Sequence, residues 1–316
     1  MTQIFNRELI ESFTKPLSEE IASDVVAWTQ KTLDTIIDEI RKTNTAVTDS
    51  YEYELAGDFI TETTTMNSEI DLYIVLKSPQ LELNSIKLSN NKFKQFWLKL
   101  KRAYLVSKDE KMSKRKRKKQ QEKMKQEVVI PPNKYSVSDF KMSLLKKLIN
   151  YIDDKSYIFI TSTGLKLVAR EFLGIDVNIY PVFKNDNSYK LFHDAKGKFI
   201  TFAVDQLHEN IDEKIEMVGE NYNNLVRVYK NLYFNLYNYH PSQFFIESLI
   251  YNCPNSLFFG YNFFEVFIKS LNYLSNASLK DFVLVTDTSK KLFSSARIQE
   301  SIVTVMNLTK QIDSML

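Results

Sequence analysis

The chain has 316 residues, 44% of them hydrophobic and 26% charged, which is enough to bury a real core in one large domain or two modest ones and excludes a disordered protein. The lone Cys253 excludes a disulfide framework and a cysteine zinc site. His193, His208 and His240 are too scattered for a histidine metal centre, so a working metal must be held by carboxylates, which suits Mg2+ or Mn2+.

The formal charge of +3 hides an asymmetry. The strip 108–127 carries ten Lys/Arg against four Asp/Glu, and the other residues carry 32 basic against 35 acidic side chains. Clustered lysine and arginine favour phosphate backbones or an anionic surface, although such runs are also often plain solvated insertions. The strip is thus a candidate contact for a nucleic-acid activator or an oligonucleotide product. The richest apolar stretch, Leu257 to Leu274, is broken by Asn262, Glu265 and Lys269, so no membrane span is predicted. The opening MTQIFNRELIESF has no apolar h-region, and a cytoplasmic protein is expected.

In chain order, residues 18–42 read as an amphipathic helix, with Ile21, Val25, Trp28, Leu33, Ile36, Ile37 and Ile40 largely on one stripe. A strand follows over 47–55 and is stopped by Gly57, then a Thr-rich loop or short helix over 58–68. IDLYIVL, 70–76, is a clear alternating strand. Helices are predicted over 92–107 and 137–153, with Pro131–Pro132 as a stop between them. Strands are predicted over 157–161, 165–172 and 175–182, with Gly174 turning between the last two. Beyond about Asp205 the pattern is helical: 221–239, 242–252, 261–275, 278–292 and 296–314. The expected architecture is α+β, a mixed sheet flanked by helices and then an all-helical half. The many aromatics of that half, such as Tyr229, Tyr233, Phe245 and Phe258, have helical spacing and read as core.

The segment that can carry chemistry runs from Ala56-Gly57-Asp58-Phe59 to Glu69-Ile70-Asp71-Leu72. Alternation puts Glu69 and Asp71 on one face of a strand whose other face is apolar. Adjacent carboxylates repel each other, and a shared divalent cation resolves the repulsion. A plain solvated strand face explains the same spacing. Asp176 opens a later strand. If that strand pairs near the first, three carboxylates can hold two metal ions for phosphoryl transfer, with Asp176 as proton acceptor.

With these residues in this order, the chain resembles the nucleotidyltransferases of the polymerase β superfamily, and within it the CD-NTase and oligoadenylate-synthase-like enzymes. Gly57, Glu69, Asp71 and Asp176 match the family's Gly-Ser turn, its [DE]-x-D strand and its third Asp. FITFAVDQLHENI (199–211), NNLVRVYKNL (223–232) and PSQFFIESLIYNCPNSLF (241–258) are similar to later family segments, while 80–135 fits poorly. The resemblance implies a polymerase β-like nucleotidyltransferase core over 1–205, with a basic insertion at about 108–127, and a helical lobe over 206–316. The active site would lie in the cleft between them. It implies joining the α-phosphate of an NTP or dNTP to a hydroxyl with release of pyrophosphate, using two Mg2+ or Mn2+ ions held by Glu69, Asp71 and Asp176. Gly57, Asp58, Lys230, Arg227 and Ser242 are then the nucleotide-binding candidates, with Lys230 on the donor triphosphate and Arg227 assisting from one turn earlier. The plain alternatives are a solvated helix face for Arg227 and Lys230, and a helix cap after Pro241 for Ser242.

One position departs from the pattern. Asp58 stands where the family has serine, and an ionised carboxylate only accepts hydrogen bonds. A metal or a basic side chain bridges it, or Thr61 or Thr63 takes the serine's role, or the donor binds differently, or the site is silent. The expected activity is template-independent synthesis of a cyclic or linear oligonucleotide signal, with an antiphage role and an effector protein that senses the product. The alternatives are a toxin-like nucleotidyltransferase acting on tRNA or protein, and a catalytically silent nucleotide or nucleic-acid sensor.

Overall fold

The computed structural model describes residues 5–47, 50–59, 61–65, 67–87, 135–152, 157–185, 188–203, 205–237, 244–293 and 298–316. The basic strip 108–127, the helix expected over 92–107 and Ser242 lie outside the described residues.

The described chain divides into two compact units. The first comprises Glu20–Leu55 and Ile70–Phe202, and the second Met1–Glu19, Ala56–Glu69 and Ala203–Leu316. The second unit thus joins the N-terminal segment and the turn 56–69 to the chain from Ala203 onward.

The first unit is a sheet flanked by helices. Its long helix α1 spans Glu19–Thr43. Val25, Leu33, Ile36, Ile37 and Ile40 of its stripe are buried, while Trp28 is half-buried and meets Phe172 edge-on at 5.4 Å. The strands are β1 (Tyr51–Ala56), β2 (Glu69–Leu76), β3 (Tyr157–Ile160), β4 (Leu165–Val168), β5 (Asp176–Asn185), β6 (Ser188–His193) and β7 (Lys198–Ala203). Their order is β1-β2-β5-β4-β3, with β6 on β5 and β7 on β6. β2 and β5 are central, and Tyr73 and Val75 are buried along with Ile70, Leu72, Ile74 and Leu76, as expected when both faces of a strand are covered. The sheet is further framed by α2 (Pro79–Lys87) and α3 (Val137–Leu148). A capping box fixes the start of α3, with the Ser136 hydroxyl accepting from Asp139 N–H and the Asp139 carboxylate accepting from Ser136 N–H.

Two glycines have definite reasons. Gly164 turns the β3–β4 hairpin so close to β5 that a Cβ there would stand 2.3 Å from the carbonyl oxygen of Ile179. Gly174 ends the short helix α4 (Arg170–Leu173) at φ 79°, a left-handed cap that glycine adopts without strain. This helix corrects the strand predicted over 165–172. The N–H groups of Ala169 and Arg170 donate to the Asp176 carboxylate at 3.0 and 3.1 Å, so the ladder stops at Val168 and the chain turns.

The second unit carries α5 (Asp205–Val218), α6 (Asn221–Tyr237), α7 (Phe245–Tyr251), α8 (Phe263–Asn276) and α9 (Ile298–Asp313). Tyr222, Leu225, Tyr229, Leu249, Phe267 and Leu308 share one core with Phe5 and Ile10 of the N-terminal segment, whose own helix is Arg7–Ser12. Phe5 N–H donates to the carbonyl of Met315 at 2.8 Å. Of the aromatics read as core, Tyr229, Tyr233, Phe245 and Phe258 are buried, whereas Phe259 is exposed. The unit is not all-helical. The helix predicted over 278–292 is a short 3-10 turn followed by a hairpin of Val283–Leu284 and Asp287–Lys291. Phe282-Val283-Leu284-Val285-Thr286 is rich in β-branched residues, and Val285 N–H and C=O are fixed by Ser248 and Asn210.

A buried ion pair links α3 to the turn after β6. Lys141 Nζ lies 2.5 Å from Asp194, their side chains 0% and 1% exposed, and Ser138 Oγ donates to the same carboxylate. Burial pulls the lysine's pKa down, against the opposing pull of Asp194. Removing one member of such a pair leaves an uncompensated buried charge. We expect Lys141→Met to lose about 3–5 kcal/mol of stability in urea unfolding, and a loss below about 1 kcal/mol would show that the pair is dispensable.

Candidate active site

β1 ends at Gly57, which takes a left-handed φ of 65° and opens a 3-10 turn over Gly57–Phe59. Asp58 sits in this turn with its side chain 22% exposed. Its Oδ1 lies 2.7 Å from Nζ of Lys230 on α6, and its Oδ2 accepts from Ser68 Oγ at 2.9 Å. The Lys230 ammonium also donates to Glu247 Oε1 on α7 at 2.5 Å and to Thr63 Oγ1 at 2.8 Å. An ammonium has three donors, and all three are used. Thr63 Oγ1 in turn stands 2.8 Å from Thr61 Oγ1. The Glu247 side chain is 1% exposed and that of Lys230 8%.

Burial would draw the Lys230 pKa down, but the charges of Asp58 and Glu247 outweigh it and hold it above the usual lysine value. Burial pushes the Glu247 carboxyl up, beyond what Lys230 offsets, with Asp58 pushing the same way. Of the alternatives open for Asp58, a basic side chain beside it is the one present here, and it is Lys230. Thr63 belongs to the same network. Glu247 was not singled out from the sequence, although a lone acid inside the apolar run FFIESLI is the signal of a buried charge that needs a partner.

Arg227, three residues before Lys230, is buried. Its guanidinium donates to the carbonyls of Thr14 and Glu62 at 2.5 and 2.6 Å and to Asn224 Oδ1 at 2.7 Å. Burial lowers its pKa, partly offset by Glu220 and Glu62. This is not a solvated helix face, since three of the guanidinium's donors are bonded within the protein. Glu62 itself holds φ at 54°, a costly conformation for a non-glycine residue, and the Arg227 bond to its carbonyl helps to fix it.

Along β2, Glu69 and Asp71 alternate with buried Ile70 and Leu72 and are half-buried on one face of the strand. Asn178 Nδ2 donates to Asp71 Oδ1 at 2.8 Å, which places Asn178, and Asp176 two residues before it, on the Asp71 face one strand over. Tyr73 and Tyr180 meet edge-on at 5.8 Å. The pairs Asp71–Asn178 and Tyr73–Tyr180 thus step along β2 and β5 in the same direction, and Asp176 stands level with the opening of β2. Besides its two backbone donors on Oδ1, Asp176 has Arg170 Nη2 at 3.9 Å from Oδ2. Among the described residues no three His, Cys, Asp or Glu side chains are gathered closely enough to hold a metal ion. Sequence reasoning missed Asn178, although its place two residues after Asp176 was legible.

Glu69, Asp71 and Asp176 are half-buried and offer only carboxylate oxygens, the donors that a hard divalent cation such as Mg2+ or Mn2+ takes, although they are not drawn together around one point. No helix among the described residues is long and apolar enough to cross a membrane.

Residues 209–316 match the family model of the cGAS/DncV-like nucleotidyltransferase C-terminal helical domain. No curated protein matches the chain's sequence. The fold is similar to that of the Rhodothermus marinus CdnE c-UMP-AMP synthase solved with Apcpp and Upnpp, at 15% identity and a TM-score of 0.58, covering 98% of this chain and 97% of that one. It is also similar to the Elizabethkingia meningoseptica CdnE cyclic dinucleotide synthase solved with GTP and Apcpp, at 17% identity and a TM-score of 0.59, covering 97% of each. The CdnC of an E. coli MS115-1 CdnC:HORMA-deltaN complex matches at 14% identity and a TM-score of 0.51, covering 98% and 91%. The fold is thus a nucleotidyltransferase sheet unit with a C-terminal helical domain. Residues 209–316 are thus recognised in sequence as a cGAS/DncV-like nucleotidyltransferase C-terminal helical domain, and the chain as a whole shares the fold of the CdnE and CdnC proteins to which it is similar.

Because its buried guanidinium bonds the carbonyls of Thr14 and Glu62 and the side chain of Asn224, Arg227 has a structural cost of removal. We expect Arg227→Lys, which keeps the charge and loses the fork, to reduce stability by about 2–3 kcal/mol. Urea unfolding measures it, and an unchanged midpoint would mean that the carbonyls find other donors.

Proposed function

We propose that this chain is a metal-dependent, template-independent nucleotidyltransferase that makes a cyclic or linear oligonucleotide signal from NTPs or dNTPs and releases pyrophosphate. The observation that carries this reading is the carboxylate face: Glu69 and Asp71 on β2, with Asp176 on the neighbouring β5. The cyclic dinucleotide synthases named among its structural relatives support the class of product.

Glu69, Asp71 and Asp176 are the residues that would hold Mg2+ or Mn2+, and two bound ions would neutralise phosphate charge and lower the pKa of the attacking hydroxyl. The chain's own groups do the rest. Asn178 orients the Asp71 carboxylate through its amide. The backbone N–H groups of Ala169 and Arg170 fix Asp176 through Oδ1, and Oδ2, with Arg170 Nη2 at 3.9 Å, is the atom that would take the hydroxyl's proton. The proton leaves the attacking oxygen as that oxygen bonds to the α-phosphorus, and the bond to pyrophosphate breaks.

A signal made this way needs a protein that reads it. An effector in antiphage defence is the partner we propose, with the chain working in the cytoplasm. The basic strip 108–127 is proposed as a contact for oligonucleotide product or nucleic-acid activator.

The test is incubation with each α-labelled NTP and dNTP in Mg2+ or Mn2+, with products resolved by size and mass. We expect pyrophosphate and a small oligonucleotide, abolished by EDTA and by Asp71→Asn and reduced roughly 100-fold or more by Asp176→Asn. Label appearing on tRNA or protein instead would mark a toxin-like transferase. No turnover with any nucleotide or acceptor would leave a silent sensor.

A further inference from the structure

We propose that Lys230 is a positioning residue rather than a phosphate ligand, and that Asp58 makes it so. Together with Glu247 and Thr63, Asp58 takes up the whole ammonium and fastens to the helical unit the turn that leads into Glu69 and Asp71. The inference rests on the nucleotidyl-transfer reading above for the importance of those two carboxylates.

The first support is stoichiometric. Asp58 Oδ1, Glu247 Oε1 and Thr63 Oγ1 take the three donors of Lys230, at 2.7, 2.5 and 2.8 Å. Two carboxyl groups already share one ammonium. A triphosphate seeking Lys230 would have to displace Asp58 and approach the buried Glu247, against charge repulsion in a medium of low dielectric.

The second support is the arrangement along α6. Arg227, Lys230 and Asn231 have the i, i+3, i+4 spacing that puts side chains on one helix face. Each holds a different point of the segment 57–69. Arg227 takes the carbonyl of Glu62, Lys230 takes Asp58 and Thr63, and Asn231 Oδ1 accepts from Asn67 Nδ2 at 2.9 Å. Within the segment, Thr63 N–H donates to the carbonyl of Asp58 at 3.0 Å, and Ser68 N–H to that of Thr65 at 2.9 Å. Ser68, bonded through its hydroxyl to Asp58, immediately precedes Glu69. An unbroken set of bonds therefore runs from the Lys230 ammonium to the residue next to the first carboxylate of β2. A serine at position 58 would carry no charge to hold the lysine. The aspartate diverts Lys230 from ligand to anchor.

The experiment combines amide hydrogen exchange with kinetics on the full chain, using Asp58→Ala, Lys230→Met and the double variant. We expect the Thr61 and Thr63 amides to exchange roughly tenfold faster or more in each single variant, with little further change in the double, since both remove the same fastening. The kcat should fall about tenfold or more with KM for the nucleotide within about threefold, the mark of misplaced catalytic groups rather than lost substrate contact. Calorimetric affinity for tripolyphosphate should likewise not weaken in Asp58→Ala. Unchanged exchange in Asp58→Ala overturns the proposal, as does a tenfold rise in KM with kcat kept in Lys230→Met. Should Lys230→Met fail to fold, Glu247→Gln replaces it in both measurements. A wild-type chain without turnover would defeat the nucleotidyl-transfer reading, while the exchange result still decides whether the fastening exists.

Discussion

The helical unit is organised around one buried ammonium. Lys230 lies in a medium where an unpaired charge is costly, so it requires its counter-charges, and these come from parts of the chain far apart in sequence: Asp58 in a turn after the first strand and Glu247 on α7. None of the three can be buried without the others. The turn cannot dock without Lys230, Lys230 cannot be buried beside Thr63 without carboxylates, and Glu247 cannot sit fully buried in an apolar helix without a cation. Such an arrangement adds less to net stability than its contact distances suggest. It does tie the turn to one placement, since three groups from distant parts of the chain must meet at one point.

The carboxylate face in the sheet shows a related economy. Asp176 accepts two backbone N–H groups that end β4 and start α4, and it also stands on the face shared by Asp71 and Asn178. One side chain sets the local path of the backbone and belongs to the candidate site. Its orientation is therefore fixed by the fold before any substrate arrives, as a group that takes part in chemistry requires. Asn178 does the same for Asp71 with a neutral amide, which adds no charge to an already anionic face.

Local patterns made much of this legible. The alternation of IDLYIVL and the stripe of residues 18–42 report burial directly, and both elements form within a residue or two of their expected bounds. The order of Gly57, Glu69, Asp71 and Asp176 carried the resemblance to the nucleotidyltransferases, and the resemblance implied the fold. What escaped was decided at long range. The strand over 165–172 is cut short by a carboxylate six and seven residues downstream. The hairpin at 283–291 hid behind helical-looking spacing, and its backbone partners Ser248 and Asn210 lie far upstream. Lys230 was recognisable by likeness, but its partner Glu247 and the role of Asp58 follow only from which helices meet.

The division of the chain has a consequence for how it is made. Segments 1–19 and 56–69 leave the ribosome early, yet the core and ion pairs they join are supplied by Ala203–Leu316. Contacts of such sequence separation form slowly, because the loop entropy must be overcome before they are rewarded. The sheet unit, closed by residue 202, can collapse during synthesis while Phe5, Ile10 and the turn bearing Asp58 wait, their apolar and charged groups still in water. Completion of the carboxylate-bearing strand's approach is thus deferred until translation has passed Glu247, so a truncated chain would hold a sheet without an anchored turn.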